Sequence, residues 1–318
     1  AIEVSSHALA QERVAGCRFD AAVFTNLTRD HLDFHGSMER YLAAKGILFE
    51  MLDGPTEKRF PRAAVLNADE ESSEYLRGRS RARVLTYGLG GADFTAGEIK
   101  SEGFNLSFEL GHAGNVYAAH VPLLGRFNAY NSLAAVAVAA SQDVDVAQAV
   151  EALASFPGVP GRLERIEAGQ PFGVFVDIAS TGAALENVLN ALRPATRGRL
   201  WVVFGAAGGR DPIRRTSMGE VAARLADRCV LTNEDPRDED PDAIIAAIAG
   251  SLATAGRREG TDFVRLPDRR EAIRYAFENA RAGDTVLLAG KATETTMVFA
   301  HGAVPWDERT VARELLAT

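Results

Sequence analysis

The sequence predicts an α/β protein with two domains built on parallel sheets, and three observations lead to this prediction. Short apolar runs bounded by turn residues alternate with helical patterns through most of the 318 residues, which is typical of parallel sheets covered by helices. The length exceeds one ordinary core, and a hydrophobic content of 47% supplies apolar surface for two. The segment "PGVPG" at 157–161 interrupts the pattern, so we predict domains at 1–158 and 159–318.

The first half of the chain predicts a parallel sheet followed by an antiparallel meander. Three apolar runs are predicted to be buried strands, at 21–27, 63–69 and 82–88. The pattern at 37–52 predicts a helix between the first two. Residues 93–121 contain short alternating segments separated by glycine-containing turns, which favours antiparallel strands. Two Ala-rich helices are predicted to follow, at 128–141 and 146–156.

The second half alternates regularly between strands and helices. The predicted strands are "FGVFVDIA", "LWVVFGAA", "CVLTN", "FVRLP" and "TVLLAG". The predicted helices between them are 182–192, 217–226, 241–253 and 269–281. Such alternation predicts a Rossmann-like, doubly wound domain, in which ligands bind outside the carboxyl ends of the strands.

Composition excludes several classes of protein. The net charge of −8 argues against a broad surface for nucleic acid or acidic membrane. Cys17 and Cys229 are too far apart in sequence for a CxxC metal motif or a disulfide framework, which favours a reducing compartment. The sequence has neither an apolar run of membrane-spanning length nor a secretory signal at its start. We therefore expect a soluble, cytoplasmic protein.

A dense polar cluster follows the first predicted strand, in "FTNLTRDHLDFHG" at 24–36. Its polar residues within one turn are Asn26, Thr28, Asp30 and His31. Together with Glu3, which ends an earlier apolar pair, they could hold a divalent ion, because oxygen ligands suit Mg²⁺ and an imidazole suits Mn²⁺ or Zn²⁺. The alternative is an Asx turn and helix cap formed by Asp30 and Asp33. Spacing alone leaves both interpretations open.

A glycine-rich segment, "GAAGGRDPIRR" at 205–215, follows the strand "LWVVF" and precedes a predicted helix. Its backbone amides and arginines could receive an anion. Glycine-rich βα turns are also common for steric reasons alone, so the pattern is weak by itself.

The ordered set of motifs resembles the Mur ligase family. The motifs are "EVSSHALAQ", "FTNLTRDHLDFHG", "YLAAKGILF", "GRFNAYNSLAA", "GRLERI", "GRDPIRR", "TNEDPRDEDP" and "LAGKATE". The resemblance covers residue 2 to about residue 310 and is greatest to members that add the third residue of the peptidoglycan stem peptide. It implies ATP-dependent joining of a diamino acid to UDP-MurNAc-L-Ala-D-Glu with Mg²⁺, by a cytoplasmic protein that is monomeric when complete.

The resemblance assigns roles to residues of the first half. It implies that Glu3 and His31 bind the metal, that Asn26 lies near the ATP phosphates, and that Lys45 is carbamylated. Adding CO₂ to Lys45 turns a cation into an anion that can lie beside Mg²⁺, whereas the pattern alone predicts a solvated helix lysine. Three further positions match contacts with the UDP-MurNAc-dipeptide: Ser5, Gln11 and Arg13.

Further roles lie along the rest of the chain. The resemblance places Asn128 and Asn131 near adenine, Arg162 on the phosphates and Asp177 on the ribose. Asn128 could equally be a helix N-cap. The incoming amino acid is expected to meet Arg210, Glu234, Asp235, Arg237, Gly290 and Glu294. Because Arg237 of "EDPR" offers a bidentate partner to a distal carboxylate, we favour meso-diaminopimelate over lysine or ornithine.

The sequence departs from the family pattern in several places. It contains no "GKT" or "GKS" phosphate loop, so we expect that loop and a first domain to precede residue 1, and the chain alone not to catalyse ligation. Ser180 and Thr293 replace histidines, Ala183 replaces an acid, and Asp235 replaces an asparagine. The alternatives are a non-catalytic or diverged relative and a folylpolyglutamate synthase-like ligase. A dinucleotide-binding oxidoreductase is less favoured, because no GxGxxG follows the first strand of either half.

Overall fold

The computed structural model describes residues 1–28, 31–55 and 57–317, which form two α/β units, each with its own sheet. Unit 1 consists of Ala1–Pro122 and Arg126–Phe156. Unit 2 consists of Leu123–Gly125 and Pro157–Thr318. The predicted fold class, parallel sheets with helices plus a set of antiparallel strands, is confirmed.

Unit 1 is built on a seven-stranded sheet. Its strands are β1 (Ala21–Phe24), β2 (Ala63–Asn67), β3 (Arg83–Gly88), β4 (Phe94–Ala96), β5 (Lys100–Glu102), β6 (Asn105–His112) and β7 (Asn115–Val121). Its helices are α1 (Ser6–Ala10), α2 (Leu32–His35), α3 (Met38–Glu50), α4 (Ser72–Arg77), α5 (Phe127–Ser141) and α6 (Val146–Leu153). A short 3-10 turn, Met51–Asp53, follows α3.

The strands of unit 1 change from parallel to antiparallel within one sheet. Strands β1 to β4 pair in parallel, and β6 pairs antiparallel with β4, β5 and β7. Since β7 occupies one whole side of β6, β4 and β5 share the other side, so the chain does not form the simple meander that alternation suggested. The carboxyl ends of β1, β2 and β3 consequently lie at one edge of the sheet.

Apolar burial explains why these segments form the elements. All five residues of β2 are buried, as expected of a strand covered on both faces. Helix α3 begins where predicted, because the Ser37 hydroxyl accepts a hydrogen bond from the amide of Arg40 at 3.3 Å. A core beneath this helix is formed by Ala22, Phe24, Phe49, Leu52, Ala64, Leu66 and Leu76.

Unit 2 is built on a six-stranded sheet with the order β12-β11-β10-β13-β9-β8, parallel except for β8. Its strands are β8 (Glu164–Arg165), β9 (Gly173–Asp177), β10 (Leu200–Phe204), β11 (Arg228–Leu231), β12 (Phe263–Arg265) and β13 (Thr285–Ala289), with a separate hairpin of β14 (Thr296–Phe299) and β15 (Gly302–Pro305). Its helices are α7 (Gly182–Leu192), α8 (Ile213–Leu225), α9 (Pro241–Thr254), α10 (Arg269–Asn279) and α11 (Glu308–Leu316). The loops after β9, β10, β11 and β13 meet at the carboxyl edge of this sheet.

Two features of unit 2 differ from the prediction. Helix α8 begins at Ile213 rather than at 217, because Pro212 has the backbone angles of a helix start and serves as N-cap. Arg214 and Arg215 therefore lie in the first turn of the helix and not in the glycine-rich loop. The hairpin β14–β15 and helix α11 were not predicted.

Candidate functional site

One candidate site lies in unit 1, where aromatic rings gather beside the segment that follows β1. We call this group the histidine cluster; its members are His7, His31, Phe34, His35 and Tyr41. The ring centroid of His31 lies 4.8 Å from that of His7 and 5.9 Å from that of Tyr41. His35 stacks on Tyr41 at 5.1 Å. His31 itself has a left-handed backbone, with φ of 57°, at the start of α2.

Lys45 of α3 lies against the same group. Its Nζ lies 5.1 Å from the ring centroid of Tyr41, the ring that also contacts His31. Burial lowers the pKa of Lys45, and the negative charge of Glu3 acts in the opposite direction. The structure thus brings Lys45, His31 and Glu3 into one neighbourhood, while Asp30 of the same motif lies outside the described residues.

The donors in this neighbourhood do not make a closed metal site by themselves. Within the described ranges, no group of three or more His, Cys, Asp or Glu side chains is arranged to hold a metal ion. Glu3 and His31 provide one carboxylate and one imidazole, and a carbamate on Lys45 would add a second anionic group. The two anionic groups suit Mg²⁺, which commonly binds one or two carboxylates and takes its remaining ligands from phosphates and water, whereas the imidazole of His31 is a ligand more usual for Mn²⁺ or Zn²⁺.

Sequence reasoning missed part of this cluster. His35 Nε2 and Ser6 Oγ form a buried hydrogen bond of 2.9 Å, which ties α2 to α1. The neighbouring Ser5 hydroxyl accepts from the amide of Ala8 at 3.1 Å and caps α1. Gln11 and Arg13 follow α1 and are exposed. His7 and His35 could have been found from the sequence, because they lie in the motifs "EVSSHALAQ" and "FTNLTRDHLDFHG".

The end of β1 is held by side chains from β2, its neighbour in the sheet, and from β3, the strand beyond it. The Tyr87 hydroxyl donates to the carbonyl of Phe24 at 2.9 Å, and Asn67 Nδ2 donates to the carbonyl of Thr25 at 2.7 Å. Asn26 is the next residue and is exposed at this edge. Its backbone position is therefore fixed while its side chain remains accessible.

Asn128 and Asn131 lie in the first turns of α5. Asn131 Nδ2 donates to Asn128 Oδ1 at 2.9 Å. The helix is preceded by Arg126 as its N-cap, so the interpretation of Asn128 as the cap is wrong. Nearby, the Tyr130 hydroxyl donates to Asp69 Oδ2 at 2.7 Å, and burial together with Asp69 raises the pKa of Tyr130 to about 12.

In unit 2, Asp177 ends β9 and organises the backbone around it. Its carboxylate accepts from the amides of Leu163 at 2.7 Å and Ala179 at 2.8 Å. Burial raises the pKa of Asp177, and these two bonds and the charge of Arg162 oppose the shift. Arg162 is exposed beside this loop. Asp177 thus fixes the segment that presents Arg162.

The loops after β10, β11 and β13 form a second site, which we call the carboxyl-edge site. It contains the predicted residues Arg210, Glu234, Asp235, Arg237, Gly290 and Glu294. Fully buried Lys291 lies at its centre: its Nζ donates to Asp235 Oδ1 at 2.9 Å and also pairs with Glu294. The amide of Val298 donates to the same Asp235 oxygen at 2.9 Å. The charge introduced by Asp235 is therefore balanced inside the protein.

Glu234 differs from Asp235, the neighbouring buried carboxylate, in its hydrogen bonding. It is 6% exposed, and its Oε2 has no hydrogen-bond partner among the residues that the structure describes. Burial raises the pKa of Glu234 to about 7. Gly290, with φ of +104°, allows this side chain to approach, because a Cβ there would lie 2.7 Å from Glu234 Oε2. A buried acceptor without a donor is costly unless a ligand supplies one.

Arg237 is held by its main chain. It has a left-handed backbone, with φ of 54°, and its amide donates to the carbonyl of Val298 in β14 at 2.9 Å. The amide of Gly208, in the loop after β10, donates to the carbonyl of Asp235 at 2.8 Å. Arg210 of that loop is exposed. The hairpin that the sequence did not predict therefore supports the loop that carries Arg237.

The two positions where the family has histidine lie at this edge as well. Ser180 is half-buried, directly before Thr181, whose hydroxyl caps α7 by accepting from the amide of Ala184 at 3.2 Å. Thr293 is exposed, and its Cγ2 lies so near Gly161 that a Cβ on Gly161 would come within 2.7 Å. Neither side chain offers an imidazole.

The geometry and the topology define a class of protein, two α/β units with polar loops at the carboxyl edges of their sheets. No helix in the described part of the chain is both long and apolar enough to span a membrane. Residues 1–139 match the Mur ligase middle domain, and residues 161–292 match the Mur ligase glutamate ligase domain. The chain belongs to the Mur ligase family, which confirms the resemblance.

Individual relatives agree with this assignment. The chain is 43% identical over 315 residues to a UDP-N-acetylmuramoyl-L-alanyl-D-glutamate–2,6-diaminopimelate ligase of Geobacillus kaustophilus, covering 98% of this chain and 63% of the relative. It is 44% identical over 325 residues to a UDP-N-acetylmuramyl-tripeptide synthetase of Roseiflexus, covering 99% and 64%. A solved structure of a 2,6-diaminopimelate ligase with the first of these names is 32% identical with a TM-score of 0.66, covering 99% of this chain and 63% of that one. The chain thus spans just under two thirds of these proteins.

Proposed function

We propose that this protein takes part in ATP-dependent amide formation, joining a diamino acid to UDP-MurNAc-L-Ala-D-Glu in peptidoglycan synthesis. The observation that carries the proposal is the carboxyl-edge site, where Oε2 of buried Glu234 has no hydrogen-bond partner among the described residues and the same loop presents Arg237. An amino acid supplies both missing complements: an ammonium donor for a carboxylate and a carboxylate for a guanidinium. The names of the relatives support the same reaction.

The reaction needs no protein nucleophile. The γ-phosphoryl group of ATP passes to the substrate carboxylate to give an acyl phosphate, and the amine then attacks the acyl carbon and releases phosphate. The protein contributes positioning and charge neutralisation. In our assignment Asn26 and Arg162 lie near the phosphates, Asp177 near the ribose and the pair Asn128–Asn131 near adenine.

In unit 1 we assign Glu3, His31 and carbamylated Lys45 to a Mg²⁺ site. Mg²⁺ there would neutralise charge on the ATP phosphates. Burial favours the neutral amine of Lys45, and only this form can attack CO₂, forming the N–C bond of the carbamate and losing a proton. Ser5, Gln11 and Arg13, which lie at or after α1, are assigned to the UDP-MurNAc-dipeptide.

The amino acid that we favour is meso-diaminopimelate. Arg237 can pair bidentately with its distal carboxylate, whereas lysine and ornithine carry only an ammonium there. The negative charge of Asp235 would not strongly repel the distal carboxylate of meso-diaminopimelate, because Lys291 already pairs with Asp235. Arg210, Gly290 and Glu294 complete the assigned contacts at the carboxyl-edge site.

The test is amino-acid-dependent phosphate release by the full-length protein with ATP, Mg²⁺ and UDP-MurNAc-L-Ala-D-Glu. We expect meso-diaminopimelate to support release better than lysine or ornithine. R237A should raise the KM for meso-diaminopimelate roughly tenfold or more and leave the KM for ATP nearly unchanged. A preference for lysine would overturn the specificity. Tight binding of all substrates without phosphate release would instead favour a non-catalytic relative, and release with folate and glutamate a folylpolyglutamate synthase-like ligase.

A further inference from the structure

A fully buried arginine lies beneath the carboxyl-edge site; among the described residues it donates no hydrogen bond to an assigned side chain, although its positive charge acts to lower the pKa of Glu234. Arg269, the first residue of α10, is 2% exposed, and Glu308 of α11 is 0% exposed. The Arg269 Nε lies 2.9 Å from Glu308 Oε2, and its Nη2 lies 2.6 Å from Glu308 Oε1. The Trp306 indole donates to the same carboxylate at 2.7 Å. The two charges therefore form a bidentate pair that is closed to solvent.

The remaining donors of Arg269 reach the backbone of the two loops. Nη1 donates to the carbonyl of Asn233 at 3.0 Å, and Nη2 donates to the carbonyl of Ala289 at 2.8 Å. Asn233 directly precedes Glu234, and Ala289 directly precedes Gly290. One guanidinium thus donates to the carbonyl that directly precedes the first assigned residue of each loop.

Stability alone does not explain such an arrangement. Desolvating two charges costs about as much as their attraction returns, so a buried pair is often no more stable than an apolar pair of similar size. A planar guanidinium does offer something that apolar groups lack, a rigid set of donors at fixed angles. Here the guanidinium of Arg269 links the segment after β11 to the end of β13, and Glu308 of α11 holds the guanidinium in place.

We propose that Arg269, held by Glu308, is a positioning residue that sets the spacing between the Glu234 loop and the Gly290 loop and thereby the affinity for the incoming amino acid. The proposal rests on the proposed function of the carboxyl-edge site. It assigns no contact between Arg269 and substrate.

The first test is R269K in the full-length protein. Lysine keeps the charge beside Glu308 but cannot bond both carbonyls, so we expect the KM for meso-diaminopimelate to rise about tenfold. The kcat at saturating amino acid and the KM for ATP should each change less than about threefold, because the loops would still close around bound substrate. An unchanged amino-acid KM would overturn the proposal.

The matched control lies at the opposite edge of the same sheet. Arg199 also pairs with a buried carboxylate, Asp284, at 2.8 Å, and its Nη2 also donates to a backbone carbonyl, that of Asn279, at 2.8 Å. R199K should lower stability without changing the amino-acid KM. An equal rise in amino-acid KM for R199K and R269K would show a general loss of stability and would overturn the proposal.

A double variant separates charge burial from positioning. R269M/E308Q removes both charges, while the amide introduced by E308Q can still accept from the Trp306 indole, so most of the stability lost in R269M alone should return. The two carbonyls still lack their donor, so the amino-acid KM should remain raised. Recovery of the KM together with stability would contradict the positioning role.

Hydrogen exchange on the 318-residue chain gives a readout that does not depend on activity. R269K should speed exchange of the amides of residues 233–235, 237 and 290–295 about tenfold or more relative to the wild-type chain, and R199K should not. Equal exchange in these loops for R269K and wild type would overturn the positioning role. If the wild-type protein shows no amino-acid-dependent phosphate release, the proposed function fails, and this experiment still decides whether Arg269 fixes the loops.

Discussion

At the amino edge of the unit 2 sheet Asp284 lies near the surface but is covered by donors, whereas at the carboxyl edge Glu234 lies deep in the protein and has an oxygen without a partner among the described residues. Asp284 accepts from the amides of Arg199 at 2.7 Å and Arg281 at 3.0 Å, and from the Trp201 indole at 3.1 Å. Burial opposes its ionisation, but these bonds and the Arg199 guanidinium outweigh burial and lower the pKa of Asp284. At Glu234 burial prevails and raises the pKa to about 7.

This difference separates two uses of a buried carboxylate. Where every lone pair meets a donor from the same fold, the charge stabilises the native state. Where a donor is missing, the native state carries a cost that a bound cation or amine can remove. One sheet therefore has a stabilising edge and a binding edge, and the following predictions test that division.

The largest effect is expected from D284A. It leaves the buried Trp201 indole and the Arg199 guanidinium without their acceptor, so the free energy of unfolding should fall by about 3 to 5 kcal/mol. Both tryptophans of the chain, Trp201 and Trp306, lie in unit 2, so denaturant titration followed by tryptophan fluorescence reports this unit. D284N keeps the shape of the side chain and one acceptor oxygen, so its free energy of unfolding should fall less than that of D284A. A loss below about 1 kcal/mol for D284A would remove the stabilising role of the amino edge.

E234Q, in contrast to D284A, should raise the free energy of unfolding. Between the ordinary pKa of 4.5 and about 7 the folded state binds more protons at Glu234 than the unfolded state, so the stability of the wild-type chain falls as pH rises through this window. E234Q removes that dependence and should be more stable at pH 8 by up to about 3 kcal/mol.

The measurement for E234Q is denaturant titration at several pH values. E239Q is the control, because the Gly209 amide donates to Glu239 and lowers the pKa of that carboxyl. E239Q should keep the fall in stability between pH 5 and 7. E234Q should also weaken amino-acid binding; a variant that is less stable than wild type at pH 8 would contradict the unpaired state of Glu234.

A smaller loss is expected from G290A. The added methyl group would clash with the Glu234 carboxylate at 2.7 Å and would occupy a backbone with φ of +104°, costing about 1 to 3 kcal/mol. G260A has a comparable positive φ of +78° but open space around its Cβ, so it should cost only the backbone strain. Thermal unfolding compares the two. Equal losses would mean that the contact with Glu234 does not matter.

The smallest effect is expected from R193Q at the amino edge. Arg193 Nη1 lies 2.7 Å from Asp227 Oδ2, but the two side chains are 39% and 42% exposed, so solvent and salt screen the pair. The free energy of unfolding should change by less than about 1 kcal/mol. A larger loss in the same fluorescence titration would show that position at the edge, rather than burial, sets the contribution of a charge.

The parallel framework could be predicted from the sequence because burial on both faces leaves a simple pattern. "LWVVF" is one apolar run, and all five residues of β10 are buried. Helix α7 likewise begins after Thr181, a side chain suited to an N-cap. The hairpin β14–β15 lacks such a run, since most of its residues are exposed or half-buried and it is anchored by main-chain bonds to Asp235 and Arg237. Helix α11 did carry a signal, Asp307 before a helical spacing of Val311, Ala312 and Leu315.

The candidate sites could be predicted only in part. The motifs indicated which residues gather at the carboxyl edges, because strand ends in parallel sheets meet at one edge. They could not indicate that Lys291 balances Asp235, or that Arg269 reaches two carbonyls 56 residues apart in sequence, from 233 to 289. Pairings of this kind depend on side-chain directions in the folded core, and periodicity carries no information on them.

The partner of Arg269 lies in the last helix of the described chain, and this has a consequence for synthesis. A ribosome makes β9 to β13 well before Glu308, so the growing chain contains Arg269 while its carboxylate partner has not yet been translated. A solvent-free guanidinium without a partner is costly, so these strands have reason to remain loosely packed until Glu308 emerges. The loop that carries Arg237 likewise lacks one of its hydrogen-bond partners until Val298 has been translated, because the Arg237 amide donates to the Val298 carbonyl. We therefore expect the two loops at the binding edge to become rigid only after Val298 and Glu308 have been translated.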